Sequence, residues 1–298
     1  MPLWRRSDGE LLKDLSPLRR MMPYVMRGRN ESIVYHMTRW DVGDTRAWLR
    51  EYNRARAPEQ RATLFHLLVH ACANLLHGRP GLNRFVAGGR IYQRHGVWIS
   101  FAAKTHMNDD APLATVKLRF PPGEAFDDCV RRITAAINEA RSGREQRIET
   151  EVRLLTKLPG PVLRTVLGAG RWLDRFNLLP AALIEPDPMF TSMFLANLGS
   201  LHIDGAYHHL YEYGTCSLFG VMGAVRHVVV AGRAGATSVR EVLQANWSFD
   251  ERVNDGFYCV EGLALLKRIM EDPRQQLTKS LDSAPTLVST SDAIEIVP

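Results

Sequence analysis

Trp247-Ser248-Phe249-Asp250-Glu251-Arg252-Val253-Asn254-Asp255-Gly256 is the stretch on which the reading of this chain turns. It reads as a strand, a sharp turn and then a helix. Val242 to Phe249 forms the strand that leads in, and Phe257 to Met270 the helix that leads out, ended by Asp272-Pro273.

Outward from that stretch, the pattern is mixed. Residues 1–15 read as a polar, loosely ordered lead. Ser16-Pro17 opens a basic helix through about Arg29, with Ser16 as N-cap and Pro17 at the first helical position. Ile33 to Val42 reads as a strand and Asp44 to Asn53 as a helix. A second helix runs from about Gln60 to His77, where Phe65, Val69, Cys72 and Leu76 recur at helical spacing. Val86 to Ile91 and Val97 to Ala103 read as a hairpin, with Gly88-Gly89 and His95-Gly96 as turn signals. Leu113 to Phe120 alternates as a strand, Pro121-Pro122-Gly123 ends it, and a helix follows from Glu124 to Arg141. Met189 to Leu198 is an apolar strand closed by Gly199. Ser217 to Met222 and Val225 to Val230 read as a strand pair. Helices early, strands through the middle and a final strand-turn-helix make an α+β sandwich. One domain is expected over residues 1–277, followed by a mobile tail over 278–298 that is rich in Ser, Thr and Asp.

The 298 residues are 45% hydrophobic, enough to bury a substantial core. The net charge of +6 suits nucleic acid, an anionic membrane surface or an acidic ligand such as coenzyme A. No basic-aromatic signature and no finger spacing accompanies it, so no nucleic-acid partner is expected. The longest apolar run, Leu64 to Leu76, is interrupted by His66 and His70 and is too short to span a membrane. Cys72, Cys129, Cys216 and Cys259 form no C-x-x-C pair, so neither a zinc site nor a disulfide framework is expected. With no secretory signal pattern, a cytoplasmic location is the simplest expectation.

The quoted stretch resembles the H-x-x-x-D-G signature of the chloramphenicol acetyltransferase-like superfamily. In the dihydrolipoyl acyltransferase cores of 2-oxoacid dehydrogenase complexes that signature reads F-D-H-R-V-x-D-G. Other segments match in order: Leu15 to Met21 resembles the opening of those cores, Tyr35-His36-Met37-Thr38 their P-H-V-T strand, Arg79 to Asn83 their P-x-L-N, and Phe194 to Ser200 their F-T-[IV]-[ST]-N-x-G-S. The resemblance covers about Leu15 to Pro273. It implies a two-layer α+β sandwich with a mixed sheet, a homotrimer with sites between subunits, and in some members larger shells. The core-like segment begins near residue 15, so a free-standing core is expected rather than a subunit with lipoyl domains.

The same resemblance implies three site roles. A histidine deprotonates the thiol or hydroxyl, a serine or threonine before the asparagine donates to the oxyanion, and the aspartate of D-G pairs with an N-terminal arginine. Here Glu251 stands at the histidine's position and Ala196 at the donor's, beside Asn197, while Asp255 is kept, with Arg19, Arg20 or Arg27 as its partner. A shift in alignment would bring Thr191 or Ser192 into the donor role. A glutamate, with a reference pKa of about 4.3, is a weak base, and losing one oxyanion donor costs about 10²–10³ in rate. The expectation is a catalytically impaired oligomeric scaffold, or a binder of an acyl thioester such as acyl-coenzyme A. The alternative is an active thioester-dependent acyltransferase that uses Glu251, His208 or His209 as base.

Two further patterns stand out. Arg153, Lys157, Arg164, Arg171 and Arg175 line one face of an amphipathic region broken at Pro159-Gly160-Pro161. Relative to the resembled cores this is a helical insertion at about 145–180. It packs on its own domain or, over 153–176, touches anionic lipid. Tyr207 to Gly214 is dense in polar aromatics and forms a loop, a trimer contact or a stand-in base. His66 and His70 lie four apart on a helix but lack a third ligand, so no metal is expected. His36, His106 and His227 read as structural.

Overall fold

The structure, a computed structural model, describes residues 6–104, 113–142, 153–232 and 235–278. Its centre is a six-stranded mixed sheet in the order β2-β9-β8-β7-β5-β6. These strands are β2 (Ile33–Asp41), β5 (Val97–Lys104), β6 (Leu113–Phe120), β7 (Met193–Asn197), β8 (Leu218–Ala231) and β9 (Thr237–Asp250). β7 runs parallel to β5 and β8, and the other pairs are antiparallel. A small second sheet has the order β1-β4-β3, from β1 (Gly9–Leu11), β3 (Arg84–Ala87) and β4 (Arg90–Arg94).

Helices cover one face of the large sheet. They include α2 (Gly43–Asn53), α3 (Leu64–Gly78), α4 (Phe126–Arg141) and, after the turn, α7 (Gly256–Glu271). α3 is the central one. Leu67, Leu68, Leu75 and Leu76 on it are fully buried against Ile99, Phe101, Leu195 and Trp247 of the sheet and Leu266 of α7. On the opposite face a smaller apolar cluster of Phe194, Leu210, Cys216, Phe219 and Val221 lies under the loop before β8. One helical layer on one sheet is the two-layer α+β sandwich read from the sequence.

Several sequence expectations need correction. The lead is not loose: β1 pairs with β4, and Arg6 is buried, joining Asp8 (2.8 Å) and Asp174 (2.8 Å). Polar composition hides this because each charge meets a partner distant in sequence. Val86 to Ile91 and Val97 to Ala103 are not one hairpin. The hairpin is β3–β4, turning at Gly88-Gly89, and His95-Gly96 passes the chain to β5 in the other sheet. Ser217 to Val230 is not a strand pair but the single strand β8, with a bulge between Met222 and Val225. The extra residue breaks the alternation that a sequence reading relies on. A Cβ on Gly223 within that bulge would lie 2.3 Å from the Gly205 amide, so the loop above requires glycine there. α3 begins at Leu64 rather than near Gln60 because Thr63 caps it, accepting from the His66 amide while the His66 ring accepts the Thr63 amide. α1 (Pro17–Val25) stops short of Arg29, two residues after Pro23 removes an amide donor. The expected tail over 278–298 lies outside the described residues apart from Thr278, the last residue of the C-terminal helix, and His106 is also outside them.

Candidate functional site

The turn after β9 is held from inside. Asp250 and Arg252 are 1% and 3% exposed and form a two-bond ion pair, Arg252 Nε to Asp250 Oδ1 and Nη2 to Oδ2, both 2.8 Å. The Ser32 hydroxyl donates to Asp250 Oδ1 at 3.0 Å, and Arg252 Nη1 donates to the carbonyls of Met26 and Arg27. These bonds tie the turn to the segment after α1. Glu251, between the two, points the other way. Its amide donates to the Ser32 carbonyl and its carbonyl accepts from Arg19, but its side chain is exposed and has no bond to any described residue. Asp255 caps α7, accepting from the Tyr258 amide at 2.8 Å, and its carboxylate lies 3.9 Å from Arg19 Nη2. At that distance, and with the carboxylate largely exposed, the ion pair contributes little.

Across the sheet, Ala196 sits near the end of β7, half-buried beside the Phe194–Phe219 cluster. Asn197 accepts from the Ser200 amide through Oδ1 (3.2 Å). Thr191 and Ser192 are buried where β7 begins. The Thr191 hydroxyl donates to the Trp98 carbonyl at 2.8 Å, and Ser192 Oγ accepts the Trp98 amide at 2.9 Å. Both hydroxyls anchor β7 to β5.

His208 and His209 lie in the loop over the sheet's second face. The His208 ring stacks on Phe219 with centroids 3.9 Å apart, and Phe219 stacks on Phe194 at 5.0 Å. His208 Nδ1 meets the His209 carbonyl at 2.7 Å; a carbonyl only accepts, so Nδ1 carries the proton and Nε2 the lone pair. Burial lowers its pKa, favouring neutral imidazole. His209 is exposed.

Comparison with solved structures supplies the fold's relatives. A dihydrolipoamide acetyltransferase from Azotobacter vinelandii superposes with a TM-score of 0.57 over 89% of this chain and 94% of that one, at 18% identity. A probable dihydrolipoamide acetyltransferase from Listeria monocytogenes gives 0.56 over 93% and 99%, at 14% identity. A chloramphenicol acetyltransferase gives 0.54 over 88% and 100%, at 10% identity. This chain has the acetyltransferase core fold. No protein-family profile matches its sequence, and no curated protein does.

In the Azotobacter protein a serine, a histidine and an asparagine are addressed for their role in catalysis. On the acetyltransferase fold of this chain, the turn after β9 carries Glu251 exposed and Asp255 at the helix cap. Within one protomer no bond joins Glu251 or Asp255 to Ala196, Asn197, His208 or His209 among the described residues. The sequence signals the Asp250–Arg252 pair only as two opposite charges flanking Glu251. It does not signal Arg29, which is 5% exposed.

His66 and His70 are both buried on α3. The His66 ring bonds to Thr63 and Thr134, and burial pushes its pKa down to about 4. His70 bonds to the Glu124 carbonyl. Among the described residues no three His, Cys, Asp or Glu gather closely enough to hold a metal, and no helix is long and apolar enough to cross a membrane. Of the region expected as an insertion, residues 145–152 lie outside the described residues; the rest holds α5 (Gly160–Arg175), and a short helix, α6 (Ala181–Ile184), follows it. No residue of α5 is buried, and Val162, Val166, Leu167 and Trp172 on it are exposed.

Proposed function

We propose that this chain is a catalytically impaired protein of the acetyltransferase fold, a homotrimeric scaffold that holds an acyl thioester without transferring the acyl group. The observation that carries the reading is the state of β7. Position 196 has no hydroxyl, and the neighbouring hydroxyls of Thr191 and Ser192 are held at Trp98, the first by donating to its carbonyl and the second by accepting its amide, so no hydroxyl stands at the end of the strand where the oxyanion donor is expected. The unpaired, exposed Glu251 carboxylate adds a second penalty, because its charge repels a forming thiolate or oxyanion. Trimer formation is supported by apolar exposure beside the turn. Val34, Tyr35 and Met37 on the edge strand β2 and Leu18, Met21 and Val25 on α1 are all exposed in the single chain.

Acetyl-coenzyme A titrated into the purified protein tests the reading. Saturable binding without release of free thiol is expected, in a particle three times the mass of the chain by light scattering. Turnover that Glu251→Ala abolishes would overturn it.

His208 favours a second reading, an active acyltransferase. Its neutral tautomer presents Nε2 as a base, and its ring stacks on the aromatic pair beside Ala196. Under that reading His208→Gln abolishes coenzyme-A-dependent transfer and Glu251→Gln does not. We also propose that the outward face of α5 rests on anionic lipid, supported by its exposed Val162, Val166 and Trp172 beside Lys157 and Arg164. Co-sedimentation with phosphatidylglycerol vesicles that Lys157→Gln/Arg164→Gln leaves undiminished would reject it.

A further inference from the structure

A cavity of about 440 Å³ opens where α1, the β3–β4 turn, the C-terminal half of α5 and the loop at 212–214 meet. Its walls are rich in one side chain. Arg27, Arg29, Arg171, Arg175 and Arg252 line it, against two carboxylates, Asp174 and Glu212.

The charges are not equally placed. Arg252 is neutralised by Asp250, and Asp174 by Arg6. Glu212 Oε1 accepts from the amide and side chain of Asn30; burial raises its pKa, but these bonds and the nearby Arg29 charge outweigh that and hold it ionised. Among the described residues no carboxylate bonds to the guanidinium of the remaining arginines. Arg29, 5% exposed, donates only to the carbonyls of Tyr211 (3.2 Å), Glu212 (3.0 Å) and Val86 (3.3 Å), and its Nε, also buried, has no partner. The guanidinium groups of Arg27, Arg171 and Arg175 make no hydrogen bond or ion pair among the described residues. Burial lowers the Arg29 pKa; the charges of Asp250 and Glu212 offset part of that, and a bound anion would offset more.

The cavity is also built, not incidental. Gly88 has φ +56°, and a Cβ there would lie 2.2 Å from the Arg175 carbonyl. That close approach seats the end of α5 on the hairpin turn, which brings Arg171 and Arg175 to the same hollow as Arg29.

We propose that this cavity binds a small molecule carrying a diphosphate group. The lining holds a surplus of three positive charges, five arginines less two carboxylates. Two linked phosphates carry about three negative charges at neutral pH. Guanidinium forks match phosphate oxygens in pairs, and about 300–1,000 Å³ is the usual size of a small-molecule site. The site requires no acyl chemistry and stands whether or not the reading of Glu251 does.

Calorimetric titration of the full chain with inorganic pyrophosphate, and separately with succinate, tests it. Saturable pyrophosphate binding is expected, weakened at least tenfold by Arg171→Gln/Arg175→Gln, with succinate failing to compete. Both substituted residues are exposed on α5, so the variant keeps its core, which a thermal melt checks. Arg29→Met should remove binding as well, and if it fails to fold the α5 variant decides alone. No saturable pyrophosphate binding, binding unchanged in the α5 variant, or succinate binding as tightly as pyrophosphate would overturn the proposal.

Discussion

Two groups of arginines lie a short way apart and are treated in opposite ways. Under the small sheet, Arg6 and Arg94 share Asp8, at 2.8 and 3.5 Å, and lie over the Phe85 ring. Behind the hairpin turn, Arg29 is as deeply buried but meets only carbonyls. The first group is architecture: each charge has its counter-charge and its removal breaks a network. The second has donors to spare and no carboxylate bonded to its guanidinium, the condition of a receptor for an anion. Burial alone therefore does not separate a structural arginine from a binding one. The identity of the acceptor does.

The sharpest break comes at the turn itself. Arg252→Met strands the Asp250 carboxylate in the core and should cost about 3–5 kcal/mol, read from urea unfolding. A buried group that stays neutral makes the next contrast. The unfolded His66 ring takes up a proton near pH 6.5 and the folded one only near 4. The unfolded state therefore binds more protons in that window, and stability should fall as pH drops through it, by about 1.4 kcal/mol per pH unit at most. His66→Gln should flatten that part of the curve.

Asp8→Asn should cost less, about 2–3 kcal/mol, because Asp174 still balances Arg6. Burial raises the Asp8 pKa, but Arg6 and Arg94 outweigh it and hold the carboxyl below its ordinary range. Its stabilisation is thus complete above about pH 4 and lost as pH falls through the folded value, and the variant should lack that acid loss. Arg29→Met should change stability by no more than about 1 kcal/mol, or raise it, since a buried charge to which no carboxylate bonds is replaced by an apolar chain. A loss as large as that of Arg252→Met would erase the contrast between the two arginine groups. Glu251→Gln should have the smallest effect, within about 0.5 kcal/mol in thermal melts, because the exposed side chain bonds to none of the described residues.

Much of the fold was legible where local rules held. Leu113 to Phe120 alternates and is β6 to the residue, and the turn with Asp255 before Gly256 marks the start of α7. What escaped was set by distant partners. β1 exists because β4 lies beside it, and a polar lead carries no period to betray that. β8 hides as two short runs because its bulge interrupts the alternation. At the site, substitution at Glu251 and Ala196 was visible in the sequence, but the anchoring of Thr191 and Ser192 to Trp98 was not, since a hydroxyl's partner cannot be read from its neighbours in the chain.

The sequence by itself determined the acetyltransferase core: the strand-turn-helix around Glu251, the apolar periodicity of α3 and the order of the segments between them. Periodicity and turn chemistry are local, so they survive without coordinates. Only the tertiary structure decided that Asp250, not Asp255, is the buried partner of the turn, and that Arg29, Arg171 and Arg175 face one cavity. Compensation of charge is a property of space. Residues more than a hundred positions apart share one low-dielectric hollow, and whether a counter-ion stands there depends on the fold.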